Sequence, residues 1–164
     1  MDKKENKRII SPVSFDSDLI GHKFVDFSVE GEPFAKQRPR AARKGRFITI
    51  YTPRETKNYE AKVEASYNLN YRNRFIKMEK LSGALTVKIE GIFSIPKGVS
   101  KKKREEMLNG NIPHIKKPDC DNMGKVCLDG LNGVAYPDDA MIDELDISKH
   151  YGESPRVNIL IIQK

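Results

Sequence analysis

The side chains best suited to chemistry fall in one run, Pro118-Asp119-Cys120-Asp121-Asn122-Met123-Gly124-Lys125, followed a little later by the pair Asp138-Asp139. Inside an α-helix, a spacing of two would turn Asp119 and Asp121 about 200° apart. In extended chain the same spacing puts both on one face. Pro118 biases the residue before it towards extended geometry, and the helical pattern begins only after it. The pair is therefore expected where an extended segment enters a helix, with both carboxylates converging. Lys125 lies four residues after Asp121, on the same helical face and one turn on, so it can reach whatever the carboxylates bind. Asp138 and Asp139 precede a strand holding Leu145 and Ile147. A return from helix to adjacent strand is expected to bring them back to the Asp119 end.

Grouped carboxylates repel one another unless a cation sits between them, and hard oxygen ligands of this kind select Mg²⁺ or Mn²⁺. Such ions can clamp the attacking and leaving oxygens of a phosphodiester. Plainer readings stand beside this one. Asp119 would also serve as a helix cap, and Asp138-Asp139 is an ordinary turn sequence. Cys120 and Cys127 read as small buried side chains rather than ligands. His22, His114 and His150 are scattered and read as surface or hydrogen-bonded residues. No Ser-His-Asp order or glycine-rich phosphate loop occurs in the sequence, and no small-molecule cofactor is expected.

Charge points to the partner. The 164 residues hold 30 Lys plus Arg against 23 Asp plus Glu, a formal net charge of +7. That favours a polyanion, nucleic acid before membrane. The signs are also sorted along the chain. Lys36, Arg38, Arg40, Arg43, Lys44 and Arg46 form a basic stretch without an acid. Between Asp119 and Asp146 stand eight acids and a single cation, Lys125. Solubility alone would be better served by mixed signs. Pro39, Ala41, Ala42 and Gly45 interrupt the basic stretch, which reads as a loop between strands whose arginines fork onto phosphates. A solvated loop without a ligand is the plainer alternative. No apolar run approaches the ~20 residues of a membrane helix. Met1 to Arg8 lacks the apolar stretch of a secretory signal, and two cysteines do not make a disulfide framework. A reducing cytoplasm fits best.

One domain over 23–164 is expected, with residues 1–22 as an arm. Val25, Phe27 and Val29 alternate with polar residues as a half-buried strand. Arg46–Tyr51 is a second candidate, and Leu85–Ile95, interrupted by Gly91, is the clearest. Further strands hold Leu145 and Ile147, then Val157–Ile162, joined by a turn at Gly152–Pro155; the last is apolar on both faces and expected to be central. Thr52-Pro53-Arg54-Glu55 opens a helix stacking Tyr59, Val63, Tyr67 and Tyr71, read as core or dimer packing rather than a platform for bases. A short basic helix runs from Ser100 to Asn109, stopped by Gly110. A third runs from about Asp119 to Leu131, with Met123, Val126, Cys127 and Leu131 on one stripe and Asn132-Gly133 at its end. The fold class is α+β: a mixed, largely antiparallel sheet covered by helices.

Lys117-Pro118-Asp119-Cys120-Asp121-Asn122, then Lys125, Asp129, Leu131-Asn132-Gly133-Val134, Tyr136 and Asp138-Asp139, resemble the RusA family of Holliday junction resolvases, the crossover junction endodeoxyribonucleases. Residues 33–60 match more loosely. The resemblance implies catalytic roles for Asp119, Asp121 and Asp139, with Asp138 as an acidic neighbour and Lys125 as the catalytic lysine. It also implies a homodimer that cuts four-way DNA junctions with Mg²⁺ or Mn²⁺, of the kind found in bacteria and their phages. On this reading Asp119, Asp121, Asp138 and Asp139 hold metal, while Lys36, Arg38, Arg40, Arg43, Lys44, Arg46, Lys116 and Lys117 hold DNA. Tyr136 stands where many members have Trp, Gly124 weakens the helix interior, and Cys120 replaces a more usual aliphatic residue. Two rivals are a non-catalytic junction-binding protein and a metal-dependent nuclease for other branched DNA. Nucleotidyl transfer would need a nucleotide pocket that the sequence does not reveal.

Overall fold

The structure, a computed structural model, describes residues 21–72 and 79–164. The expected arm lies almost wholly outside them. Among the described residues the chain is α+β, with three helices, a mixed four-stranded sheet and a separate two-stranded sheet. No described helix is long and apolar enough to cross a membrane.

The main sheet has the order β1-β6-β4-β5, from β1 (Lys23–Glu30), β6 (Arg156–Gln163), β4 (Leu85–Ser94) and β5 (Ile142–Gly152). β6 pairs antiparallel with both β1 and β4, whereas β4 and β5 are parallel. The short turn after β5 therefore joins strands that are not neighbours, because β4 lies between them. β6 is central, as its apolar faces suggest: Val157, Ile159 and Ile161 are buried, and so is Leu160 on the opposite parity. Val25, Phe27 and Val29 of β1 meet that row, as do Leu85, Val87 and Ile89 of β4. The other face carries a polar network in which Asn158 accepts from Ser28 (2.9 Å) and Arg156 (3.0 Å) and donates to Glu90 (2.8 Å).

The helices follow their punctuation. α1 (Arg54–Arg72) starts directly after Pro53, whose carbonyl accepts the Lys57 N–H. Tyr59, Val63 and Tyr67 are buried, so the tyrosine stripe is core. The Tyr71 hydroxyl instead accepts the Asp26 N–H at 2.7 Å. α2 (Lys101–Leu108) is capped by Ser100, whose hydroxyl accepts the Lys103 N–H, and ends at Asn109. α3 (Cys120–Leu131) buries Met123, Val126, Cys127 and Leu131 as its stripe requires.

A parallel β4–β5 pair requires a crossover, and α2 and α3 provide it. α3 can lie close because it presents glycine where it touches its neighbours. A Cβ on Gly130 would stand 2.7 Å from the Glu60 carbonyl oxygen in α1, and one on Gly124 would stand 2.3 Å from Ile147 Cδ1 in β5. Gly91, which breaks the apolar row of β4, similarly leaves room for the Met123 sulfur. Gly124 thus has a packing reason to interrupt the helix. Gly130→Ala meets backbone that cannot swing aside, and should lower stability by about 1–3 kcal/mol. Gly124→Ala meets only a rotatable methyl and recovers up to about 1 kcal/mol of helix propensity. Urea midpoints of the two variants should therefore fall in that order, with the 124 variant near wild type.

Candidate active site and nucleic-acid interface

Asp119 and Asp121 sit where the sequence places them, at the entry to α3. Asp119 is the N-cap residue in extended geometry (φ −70°, ψ 149°), and Asp121 lies in the first helical turn. Asp119 makes no capping hydrogen bond with its side chain. The plainer reading of it as a cap therefore does not account for the carboxylate. Both residues are exposed, as are Lys116, Lys117 and Lys125. No ion pair ties up Asp119, Asp121 or Lys125 among the described residues. The positive end of the helix dipole favours negative charge at this point.

What fixes this end of α3 is a loop held in two places. The Lys149 ammonium of β5 donates to the carbonyls of Lys116 and Pro118, each at 2.8 Å. His114 is buried, stacked on Phe93 with ring centroids 3.9 Å apart and tilted against Tyr151 at 4.8 Å. Phe93 and Tyr151 are partners across the β4–β5 pair. Neither Lys149 nor His114 stood out in the sequence. A lysine in a strand and an isolated histidine carry no spacing signal, and only the fold brings them under the loop.

The other expected ligands lie elsewhere. The Pro118–Lys149 bond and the Gly124–Ile147 approach show that α3 runs antiparallel to β5. Asp139 precedes Ile142, the first residue of β5, and roughly 23 Å of strand separates Ile142 from Lys149. Asp139 acts electrostatically on Tyr136, whose hydroxyl donates to the Leu128 carbonyl at 3.1 Å, towards the far end of α3. The expected return of Asp138-Asp139 to the Asp119 end is thus corrected. The parallel strand pairing places the start of β5 beside the end of the crossover helix. Asp138 caps the 3₁₀ turn Asp139–Met141, accepting the Ala140 N–H at 2.8 Å, so its ordinary turn role is real. Among the described residues, no three His, Cys, Asp or Glu side chains lie close enough together to hold a metal ion.

The basic stretch is also corrected. Arg40–Lys44 is a strand (β2), not a loop, and pairs antiparallel with β3 (Phe47–Tyr51) through the turn at Gly45, where φ is +64°. Lys36, expected among the DNA-holding cations, is half-buried and forms an ion pair with Asp129 of α3. Its backbone N–H donates to the Asn122 carbonyl at 2.9 Å, and the Gln37 N–H donates to Thr56 of α1 at 3.2 Å. The hairpin is thereby rooted against the first turn of α3, beside Asp121. Arg38, Arg40, Arg43 and Arg46 are exposed, and the Arg43 Nε–H donates to the Gly45 carbonyl.

Burial governs the remaining groups. It pushes the Cys127 thiol up to about 12, so this cysteine is an inert core residue. It also raises the Tyr136 phenol, with the charges of Asp139 and Asp129 adding to the effect, so Tyr136 is a protonated packing residue. Glu60 is raised by burial, lowered by Lys36 and raised by Asp129.

The α+β fold thus presents a two-carboxylate helix entry with an arginine-rich hairpin rooted beside it. The family described as Endodeoxyribonuclease RusA matches residues 30–162, most of the chain, and the chain belongs to that family. It is thus an endodeoxyribonuclease by class. It is also 33% identical over 139 residues to the uncharacterized protein YqaN of Bacillus subtilis (strain 168), a match covering 84% of this chain and 94% of that one.

The loop's anchor should show in acid. Burial, then the charge of Lys149, hold the His114 imidazole below its ordinary value of 6.5, with Lys116 adding to the effect and the ring's interaction with its own backbone and the charge of Glu32 opposing it. The unfolded chain therefore binds this proton more readily than the folded one. The resulting stability is complete above the unfolded value and is lost as pH falls through the folded value. His114→Phe keeps the stack and removes the proton site. Its urea midpoint should decline less than that of wild type between about pH 7.5 and about pH 5.5.

Proposed function

We propose that this chain cuts branched DNA, four-way junctions first, by metal-assisted hydrolysis of phosphodiester bonds, with paired nicks in opposed strands. The observation that carries the reading is the pair of exposed, uncompensated carboxylates, Asp119 and Asp121, at the entry to α3, with Lys125 one turn on. Mg²⁺ commonly takes only one or two protein carboxylates and completes its shell with water and substrate phosphate. The donor chemistry of Asp119 and Asp121 fits that requirement, and Mn²⁺ would fit the same oxygens. An ion bound there would supply an activated water and shield the charge of the phosphate. Asp119 and Asp121 bind and orient. Lys125 offsets charge developing on the phosphate oxygens. Arg38, Arg40, Arg43, Arg46, Lys116 and Lys117 hold the backbone on either side. The hydrolysis leaves a 5′ phosphate and a 3′ hydroxyl.

The test presents purified protein with a labelled four-way junction, a fork and linear duplex in Mg²⁺. Symmetric nicks in the junction are expected, abolished by EDTA. Asp121→Asn should reduce them about 100-fold or more while junction binding persists. Binding without nicking by wild type would replace this reading with that of a non-catalytic junction protein. Preferential cutting of the fork would reassign the substrate.

Asp139 enters through the dimer that the family resemblance implies. Within one chain it stands at the foot of β5, far from the entry to α3. A two-fold pair of chains can bring the foot of β5 in one to the head of α3 in the other, and the symmetry suits a four-way junction. In this arrangement Asp139 completes the site of its partner, with Asp138 supporting it. Asp121→Asn and Asp139→Asn should then each be inactive alone, and a mixture allowed to exchange subunits should recover nicking of one strand. A mixture as inactive as its components would place all the aspartates of a site in one chain.

A further inference from the structure

The β2–β3 hairpin is unlike the rest of the molecule. Every residue of β3 is exposed, including Phe47 at 78%, Ile48 at 72% and Ile50 at 73%. Among the described residues of the other strands, Leu145 of β5 is the one exposed large apolar side chain, at 45%, so this cluster needs a different explanation. Cross-strand register divides them. Phe47 shares one face with Tyr51 and its cross-strand partner Arg40, whereas Ile48 pairs with Arg43 and Ile50 with Ala41 on the other. Both faces thus mix apolar and cationic residues, and Gly45 and Arg46 form the tip. The sequence has no acid between Glu32 and Glu55. A protein partner seated on this ribbon would have to bury arginines on either face, whereas a polyanion with flat apolar surfaces meets both characters at once. Unstacked nucleic-acid bases flanked by phosphates are such a surface.

We propose that the hairpin is a wedge for the branch point, with Phe47 at its tip stacking on a base exposed at the junction and Ile48 filling the opposite side. Arg43 and Arg46 hold the flanking phosphates. Its root explains the aim. Lys36 ties the base of the ribbon to Asn122, next to Asp121, and five-residue strands extend it by about 17 Å from that point. A base held at the tip therefore fixes which phosphate reaches the carboxylates. This inference rests on the proposed action on branched DNA and adds what recognises the branch.

Phe47→Ala and Ile48→Ser change exposed side chains, so their thermal midpoints should match wild type. Each variant is measured for binding to a four-way junction and to linear duplex, with 2-aminopurine placed at the branch. Phe47→Ala should weaken junction binding about 10-fold, leave duplex binding unchanged and abolish the 2-aminopurine response. Arg43→Gln with Arg46→Gln should weaken both substrates and reduce the salt slope by about 2. Unchanged junction affinity and fluorescence in Phe47→Ala, with wild type still nicking junctions, would overturn the wedge and leave the nuclease reading intact. A change of oligomeric mass by light scattering in Phe47→Ala would also overturn it, by assigning the ribbon to contact between chains. Wild type that ignores junctions would overturn both.

Discussion

The parallel pairing of β4 with β5 constrains everything that positions the candidate site. Two parallel neighbours cannot be joined by a turn, so about fifty residues must cross over between them, and α3 must run back along β5. That direction puts the head of α3 at the far end of the pair and the start of β5 at the near end. The same pairing aligns Phe93 with Tyr151, which makes the slot for His114. Lys149 then finds the carbonyls of Lys116 and Pro118. Asp119 is held in extended geometry because the chain just before it is fastened to the sheet.

The sorting of charge along the sequence becomes intelligible in the same frame. The basic and acidic stretches are distant in sequence, yet the backbone of one meets that of the other at Lys36 and Asn122. The Lys36–Asp129 ion pair neutralises one member of each set inside this joint. The remaining cations stand out on a ribbon, and Asp119 and Asp121 stand at its base. On the proposed reading, repulsion between a DNA strand and those carboxylates would be countered by arginines on the adjoining ribbon, and a divalent ion would remove what is left.

Local features of the fold were largely legible. Ser100, Asn109 and Gly110 marked α2, and the apolar stripe of α3 and its Asn132-Gly133 end were read directly. Apolar residues on both faces of β6 marked it as central, and alternation gave β1 one buried face. Pairing was not legible, because strand order depends on contacts over a hundred residues apart. The turn at Gly152–Pro155 could be read, but not that β4 lies between the two strands it joins. The second strand of the ribbon was missed because Arg40–Lys44 has neither alternation nor β-branched residues, and its partner supplies the geometry. For the site, the Asp-x-Asp entry and Lys125 could be read from spacing. The position of Asp139 could not, since it depends on whether the strand after the helix lies parallel or antiparallel to the one before.

The place of β6 between β1 and β4 also bears on how the chain reaches this state. β1 has no partner in the sheet until residues 156–163 exist, and β4 until then has neighbours at most on one side. During synthesis both would wait with unpaired edges while the crossover and β5 are made. The Asp119 end of α3 can therefore be assembled only late, once the final strand has slotted into the gap and the sheet has closed beneath it. Nuclease competence would then arrive together with the completed sheet, and a ribosome-bound chain would carry its basic ribbon well before it could carry a working cutting centre.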